Sequence, residues 1–266
     1  TKERWKIFFR FLIMFFSKKL KKFENLKHCF FSRKNGFSKG PYASLNCGLG
    51  SGDKRDDILK NLNLVSQKIG CKNDLLITLN QTHSDEVVYF KNESLKKNKL
   101  NGDAMVTKVK NIGIGVLTAD CAPILLYDPS KKIIGCIHSG WKGALKGIIK
   151  NTIKKFNSLN SKPDDLIAVV GPCIKGENYE VKKDFYNKFI DQNPKYNEFF
   201  KKILNNKYTF DLRKFINKEL INLNVKNVEN IEMDTFDEKH NFYSYRRSCF
   251  NKEKNYGRCI SVILMT

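Results

Sequence analysis

Three short stretches of the chain gather residue types that do chemistry: Gln81-Thr82-His83-Ser84, Thr118-Ala119-Asp120-Cys121-Ala122-Pro123 and Ile137-His138-Ser139-Gly140-Trp141-Lys142-Gly143. Two imidazoles and one thiolate, with no obvious fourth protein ligand, form the donor set of an open catalytic zinc site. Their spacing matches no zinc finger, so the assignment of His83, Cys121 and His138 rests on local context. Each is flanked by glycine, proline or polar residues at an expected strand end, where a core residue would have apolar neighbours on both sides. Copper would also bind such a site, adventitiously, because it outranks zinc at most mixed donor sets. Asp120 beside Cys121 is a candidate general base or ligand-orienting group, or else a turn former. Cys136 precedes His138 by two positions and shares its strand face; packing beneath the histidine is the simpler reading than a second sulfur ligand. His28 and His240 read as a strand start and a loop. Cys121 is alternatively a nucleophile activated by His138, which chelation would distinguish from a metal ligand.

The elements around these residues follow from periodicity and breakers. His28 to Ser32 reads as a strand, and Asp53 as the cap of a helix carrying Ile58, Leu59, Leu62, Val65 and Ile69 to a stop at Gly70. Leu75 to Leu79 and Val87 to Phe90 read as strands, with His83 between them. Three apolar runs, Gly113 to Leu117, Ile124 to Tyr127 and Ile133 to His138, are separated by turn signals, which puts Cys121 and His138 at strand ends. A helix is expected from Ala144 through Phe156, and its start would favour an anion near the site. Ile167 to Gly171 reads as a strand, Val181 to Ile190 and Asp211 to Leu223 as helices, and Arg258 to Leu264 as a closing strand. Strands and helices do not alternate strictly, which favours α+β.

Composition bounds the rest. With 266 residues and 41% hydrophobic content the chain can bury a full core, and no linker or repeat divides it. The formal charge of +22 comes mainly from lysine scattered through every segment. No arginine-aromatic face or nucleic-acid motif accompanies it, so specific nucleic-acid binding is not expected, although salt-sensitive attraction to polyanions is. Eight dispersed cysteines without a C-x-x-C pair read as buried residues in a reducing, cytoplasmic setting. The run Ile7 to Phe16 is broken by Arg10 and followed by lysines. It is too short to span a bilayer and lacks a small-residue cleavage site. Residues 1–26 are therefore expected to be a basic, aromatic appendage, either a membrane-surface helix or a start extended upstream of the folded chain. The catalytic domain is then 27–266. A non-enzymatic polyanion or membrane-surface protein is the alternative class, and nothing in the residues speaks to oligomeric state.

The three stretches, together with Gly102-Asp103-Ala104-Met105-Val106-Thr107, Gly171-Pro172-Cys173-Ile174, Tyr179-Glu180-Val181 and Tyr243-Ser244-Tyr245-Arg246-Arg247, resemble the laccase-domain family. That family, also called multicopper polyphenol oxidase-like, includes purine nucleoside phosphorylases and a peptidoglycan editing factor. The resemblance covers residues 28 to 266. It implies a four-layer α/β/β/α fold with two mixed β-sheets, and a zinc on the residues matching His83, Cys121 and His138. This chain departs from the family pattern at Ser139, usually alanine, at Lys142, usually arginine, and at Cys136, usually a small apolar residue. Lysine at position 142 keeps the charge and loses the two-point grip of a guanidinium on phosphate.

The activities attached to the family make different demands. Oxygen reduction at several coppers needs many imidazoles, and four histidines speak against it. Phosphorolysis of adenosine, inosine or methylthioadenosine needs a phosphate site, here Arg33, Arg246 and the helix start after Gly143, and a base pocket, here Trp141 or Tyr245. Asn46, Gln81 and Asp103 complete the expected substrate or phosphate contacts. Adenosine deamination would use a carboxylate such as Asp120 or Asp103 as proton shuttle, without the usual deaminase signature. Hydrolysis of a cell-wall precursor carrying serine in place of alanine would use the same three ligands. A zinc-dependent purine nucleoside phosphorylase is the leading expectation, precursor editing the alternative.

Overall fold

A computed structural model describes residues 12–72, 75–91 and 100–266. The strands are β1 (Met14–Phe15), β2 (Leu26–Phe31), β3 (Leu76–Thr78), β4 (Val87–Phe90), β5 (Ala104–Thr107), β6 (Gly113–Thr118), β7 (Ala122–Asp128), β8 (Ile133–Ser139), β9 (Ile167–Val170), β10 (Glu180–Lys182), β11 (Phe200–Lys202), β12 (Lys207–Phe210), β13 (Asn227–Asn230) and β14 (Cys259–Met265). The α-helices are α1 (Arg55–Ile69), α2 (Trp141–Lys146), α3 (Ile148–Ser158), α4 (Lys183–Ile190), α5 (Leu212–Asn222) and α6 (Tyr245–Phe250).

Two large sheets are stacked. One runs β1-β2-β14-β6-β3 and is antiparallel except at β3 and β6; the other runs β13-β9-β7-β8-β5-β4 and is parallel only at its two outer pairs. Period-two alternation explains why the central strands are apolar throughout. In β8, Ile134 and Cys136 enter the core between the sheets, while Ile133 and Ile137 face the helices on the other side. The inter-sheet core takes Ile114, Val116 and Ile263 from one sheet and Met105, Leu125 and Val169 from the other. Outside the first sheet, Val65 and Ile69 of α1 pack on Phe31 and Val262. Outside the second, Ile153 and Phe156 of α3 and Phe215 and Ile216 of α5 do the same. The result is the expected α+β fold in four layers, α/β/β/α. A small antiparallel sheet, β10-β12-β11, adds an aromatic wall near the end of the sandwich.

Several local expectations are corrected. Asp53 does not cap α1; Lys54 is the N-cap residue, and Asp53 accepts hydrogen bonds from the Lys54 amide and from Asn46 Nδ2 instead. The helix placed after His138 begins at Trp141 and is two helices, because Gly147 takes a left-handed φ of 103° between them. Val181 belongs to β10, and α4 starts at Lys183.

The boundary drawn at residue 26 falls inside the packed unit. Met14 and Phe15 pair with Phe31 and Phe30, and Leu20 is fully buried in the inter-sheet core. Ser17 Oγ and the amides of Lys18 and Lys19 donate to Glu229 of β13, and the Ser17 amide donates to Nε2 of His28. The apolar run looked like a surface helix because an edge strand covered on both faces is apolar at successive positions, here with Leu12 and Met14 toward α1 and Phe15 toward the other side. Residues 1–11 of the expected appendage lie outside the described residues. Among the described residues no helix is long and apolar enough to cross a membrane.

Candidate metal centre

Both the β3–β4 loop and the β6–β7 turn carry the chain from the five-stranded sheet to the six-stranded one. His83 sits on the first crossing and Cys121 on the second. His138 is the penultimate residue of β8, paired in register with Pro123 at the start of β7. The crossings turn sharply: His83 and Asp120 adopt left-handed φ values of 57° and 81°. The ligand atoms of His83, Cys121 and His138 all lie within 4.8 Å of one another, with Cys121 Sγ 3.8 Å from His83 Nε2. Two ligands of one tetrahedral zinc stand about 3.5 Å apart, so this donor set fits a single zinc ion with little movement. Gly140 makes the room: a Cβ there would fall 2.8 Å from Cys121 Sγ and 2.9 Å from His83 Cδ2.

One buried carboxylate organises two of the three ligands. Asp103 Oδ1 accepts from His138 Nδ1 at 2.7 Å and from the His83 amide at 3.1 Å. Its Oδ2 accepts from the Ser84 amide, Ser84 Oγ and the Thr82 amide at 2.6, 2.7 and 3.1 Å. The contact at Nδ1 leaves Nε2 of His138 as the atom that can ligate a metal. Burial alone would raise the Asp103 carboxyl, but the hydrogen bonds from His138 and Ser84 hold it well below the usual carboxylate range. Burial likewise opposes the Cys121 thiolate, yet the neighbouring His138 brings the thiol down to about 6. The thiolate and Asp103 in turn raise His138 against the effect of burial. Metal binding therefore meets a sulfur whose thiolate form is favoured by the two neighbouring imidazoles. Gln81 fastens the His83 loop to the end of β6 through a two-point amide clasp, with Nε2 donating to the Leu117 carbonyl and Oε1 accepting from the Leu117 amide, both at 2.7 Å.

A cleft of about 620 Å³ opens onto His83 and Cys121, and Trp141, Tyr245 and Arg246 stand in its walls as the sequence suggested. Asp120 also borders it, but its carboxylate is fully engaged: it accepts from Thr235 Oγ1 at 2.7 Å, the Arg246 amide at 2.6 Å and Ser244 Oγ at 3.0 Å. Asp120 thus ties the Cys121 turn to the start of α6.

Three expected substrate contacts lie elsewhere. Asp103 is fully buried under the ligands, and Asn46 is fully buried in a loop, where it binds Ser51, Asp53 and the amides of Gly48 and Arg258. Arg33 lies over the Tyr243 ring, in the walls of neither cavity that reaches the centre. Cys136 is buried between the sheets and belongs to no ligand group. Sequence reasoning missed Tyr179, Phe185 and Lys188 in the cleft, where Arg246 lies over the Tyr179 ring and Lys188 over Trp141. Tyr179 was visible only as part of a motif, and Phe185 and Lys188 looked like any amphipathic helix. It also missed a second cavity of about 240 Å³ that reaches His83, Cys121 and His138 and is bordered by Arg258.

The chain and its fold are similar to those of known proteins. The chain is 36% identical over 193 residues to a Rickettsia conorii protein named purine nucleoside phosphorylase, covering 72% of this chain and 78% of that one. It is 33% identical over 234 residues to a Haemophilus influenzae protein of the same name, covering 87% and 91%. The fold superimposes on a Bacillus licheniformis crystal structure with a TM-score of 0.86 at 25% identity, over 95% of this chain and 96% of the other. A Neisseria meningitidis structure gives 0.83 at 28% identity, over 96% and 98%. Residues 27–266 match the family described as multi-copper polyphenol oxidoreductase laccase, and the chain belongs to that family.

Proposed function

We propose that this chain is a zinc-dependent purine nucleoside phosphorylase acting on adenosine, inosine or methylthioadenosine. The observation that carries the reading is the cleft itself: aromatic walls from Trp141, Tyr179 and Tyr245, with the Arg246 cation, lead directly to the His83/Cys121/His138 cluster. Two relatives covered over most of their length carry the name of this activity. A multi-copper centre does not fit, because the chain has four histidines and only His83 and His138 converge on the one such cluster among the described residues. The donors suit one ion, and two imidazoles with a thiolate suit zinc.

In phosphorolysis a phosphate oxygen bonds to C1′ of the ribose as the C1′–N9 bond breaks, and the purine leaves with the bonding pair and takes up a proton. Zinc on the three ligands would supply a Lewis acid beside the reacting sugar. Trp141 and Tyr245 give the purine flat apolar faces on which to stack. Asp103 keeps His138 Nε2 and the His83 loop in place for the metal, so its role is positioning. Asp120 positions the Cys121 turn in the same sense, since each of its oxygens already accepts a protein hydrogen bond. Burial of Cys29, Cys47, Cys136 and Cys259 in apolar surroundings supports a reducing, cytoplasmic setting.

The test is chromatography of products after zinc-loaded protein is incubated with adenosine, with and without phosphate, using Cys121→Ala as control. Adenine formed only with phosphate, and only by the unaltered protein, is the expected result. Inosine in either condition would establish deamination at the same cluster. Absence of any product would overturn the purine reading and direct the search to the serine-bearing cell-wall precursor.

A further inference from the structure

The cluster is approached by two cavities that share His83, Ala119 and Cys121 as walls. They differ in charge. The larger cleft mixes both signs, with Lys182, Lys188, Lys207 and Arg246 beside Asp120, Glu180 and Asp184, and its Lys207 is paired with Glu180 at 2.7 Å. The smaller cavity has no aspartate or glutamate in its lining and holds one permanent cation, Arg258. In the smaller cavity an anion such as phosphate would meet a guanidinium that can offer two parallel donors, with no carboxylate competing for it in the lining. At about 240 Å³ the smaller cavity also falls below the roughly 300 Å³ at which drug-sized ligands begin to fit.

Arg258 is set up for this. Its side chain lies over the Tyr256 ring at 4.7 Å, and the hydrogen bond from its Nη1 to the Tyr256 carbonyl, at 3.3 Å, is long. Among the described residues no carboxylate pairs with it. Its backbone is pinned from both sides, since its amide donates to Asn46 Oδ1 at 2.9 Å and its carbonyl accepts from the Cys47 amide at 3.1 Å. Gly48 provides the bed: a Cβ there would lie 2.8 Å from Arg258 Cδ. The two amide side chains in the cavity are already hydrogen-bonded, Gln81 to the Leu117 backbone and Asn80 to Asn101 Oδ1.

We propose that the small cavity is the phosphate subsite and that Arg258 is its binding residue, with Asn46 and Gly48 acting through it. This rests on the phosphorolysis reading and assigns its second substrate a place. Base and phosphate then approach from different cavities, and the shared wall of His83, Ala119 and Cys121 lies where the sugar passes between them. In a displacement at C1′ the nucleophile and leaving group need opposite sides of the carbon, which two separate chambers enforce.

The experiment is equilibrium dialysis of radiolabelled inorganic phosphate, and separately of adenosine, against the zinc-loaded protein and its Arg258→Gln, Arg258→Lys and Arg246→Gln variants. Loss of a charged hydrogen bond predicts a phosphate Kd raised about tenfold or more in Arg258→Gln. Arg258→Lys should fall between, Arg246→Gln should stay within about threefold, and adenosine binding by both Arg258 variants should be retained, which certifies their fold. Unchanged phosphate affinity in both Arg258 variants, loss confined to Arg246→Gln, or no phosphate binding by the unaltered protein would each overturn the inference. If phosphate binding depends on Arg258 but adenosine and phosphate give no adenine, phosphorolysis falls and the oxyanion subsite stands. Phosphate-dependent adenine formation with an unaltered phosphate KM in the Arg258 variants gives the converse.

Discussion

Replacing Asp103 by asparagine tests whether one carboxylate holds the metal ligands. The carboxylate receives six hydrogen bonds, two at Oδ1 and four at Oδ2, the longest from Thr82 Oγ1 at 3.5 Å. An amide has one acceptor oxygen, so its nitrogen must face donors in either orientation. Placed at Oδ2 it meets the Ser84 and Thr82 amides. Placed at Oδ1 it meets the His83 amide and donates to His138 Nδ1, which forces the His138 proton onto Nε2, the atom needed for the metal. Loss of such an orienting partner costs about 10–100-fold in metal affinity, equivalent to about 1.4–2.8 kcal/mol. Losing two hydrogen bonds to a charged acceptor should remove roughly 3 kcal/mol or more of stability. For a chain of this size that is a fall in Tm of roughly 6–12 °C. The assays are zinc competition with a chromophoric chelator and thermal unfolding of the metal-free protein. A zinc Kd within about threefold of the unaltered protein, with Tm unchanged, would refute the positioning role. The Asp103 pKa is depressed, so its contribution is complete above the unfolded value near 4 and is lost only as pH falls through the lower folded value. Against burial, the Cys121 thiolate and Asp103 also raise His138 from 6.5 to about 9, so the part of the deficit that comes through His138 should be full at pH 6 and smaller at pH 8.

Gly140→Ala should weaken zinc binding by at least about tenfold while leaving the metal-free Tm within a few degrees, because the atoms nearest the new Cβ are Cys121 Sγ and the His83 ring; the same chelator competition reads it, and unchanged affinity would contradict the geometry. His28 is buried and accepts from the Ser17 amide, and burial lowers its pKa to about 4. The unfolded chain then binds the extra proton between pH 6.5 and 4, so stability is full above 6.5 and falls by about 2–3 kcal/mol on going from pH 7 to 4.5. His28→Gln keeps an acceptor for Ser17 without titrating, and urea unfolding at the two pH values should show that part of the acid loss gone; an identical pH dependence would place the sensitivity elsewhere.

The candidate triad was legible because each member sits among turn residues at the end of an apolar run, although Cys173, after Gly171-Pro172 at the end of β9, shares that context and is a core residue. Central strands such as β7 and β8 were legible because their runs are continuous, though β5 was visible only as a motif. The partners of the triad were not legible. Asp103 and Asp120 look alike in sequence, each in a turn before a strand or ligand, and only the path of the chain in space decides that one lies under two histidines and the other under α6. Arg258 read as the first residue of a closing strand, because nothing local reveals that Asn46 and Gly48, more than two hundred residues away, prepare its bed. The amino-terminal segment was misread because an edge strand covered on both faces and a surface helix can share the same short apolar run.

That two of the ligands ride on the crossings between the sheets has a consequence for how the centre comes into being. None of the three residues can approach the others until β3, β6, β4 and β7 have found their places in two different sheets and those sheets have stacked. On the metal-binding reading, the chain would complete its long-range pairing with no help from an ion, and the metal would enter a cage already built. In a zinc finger the binding energy is the folding energy; here the two are separable, so a chelator should strip the centre and leave a folded shell that takes zinc back without passing through the unfolded chain.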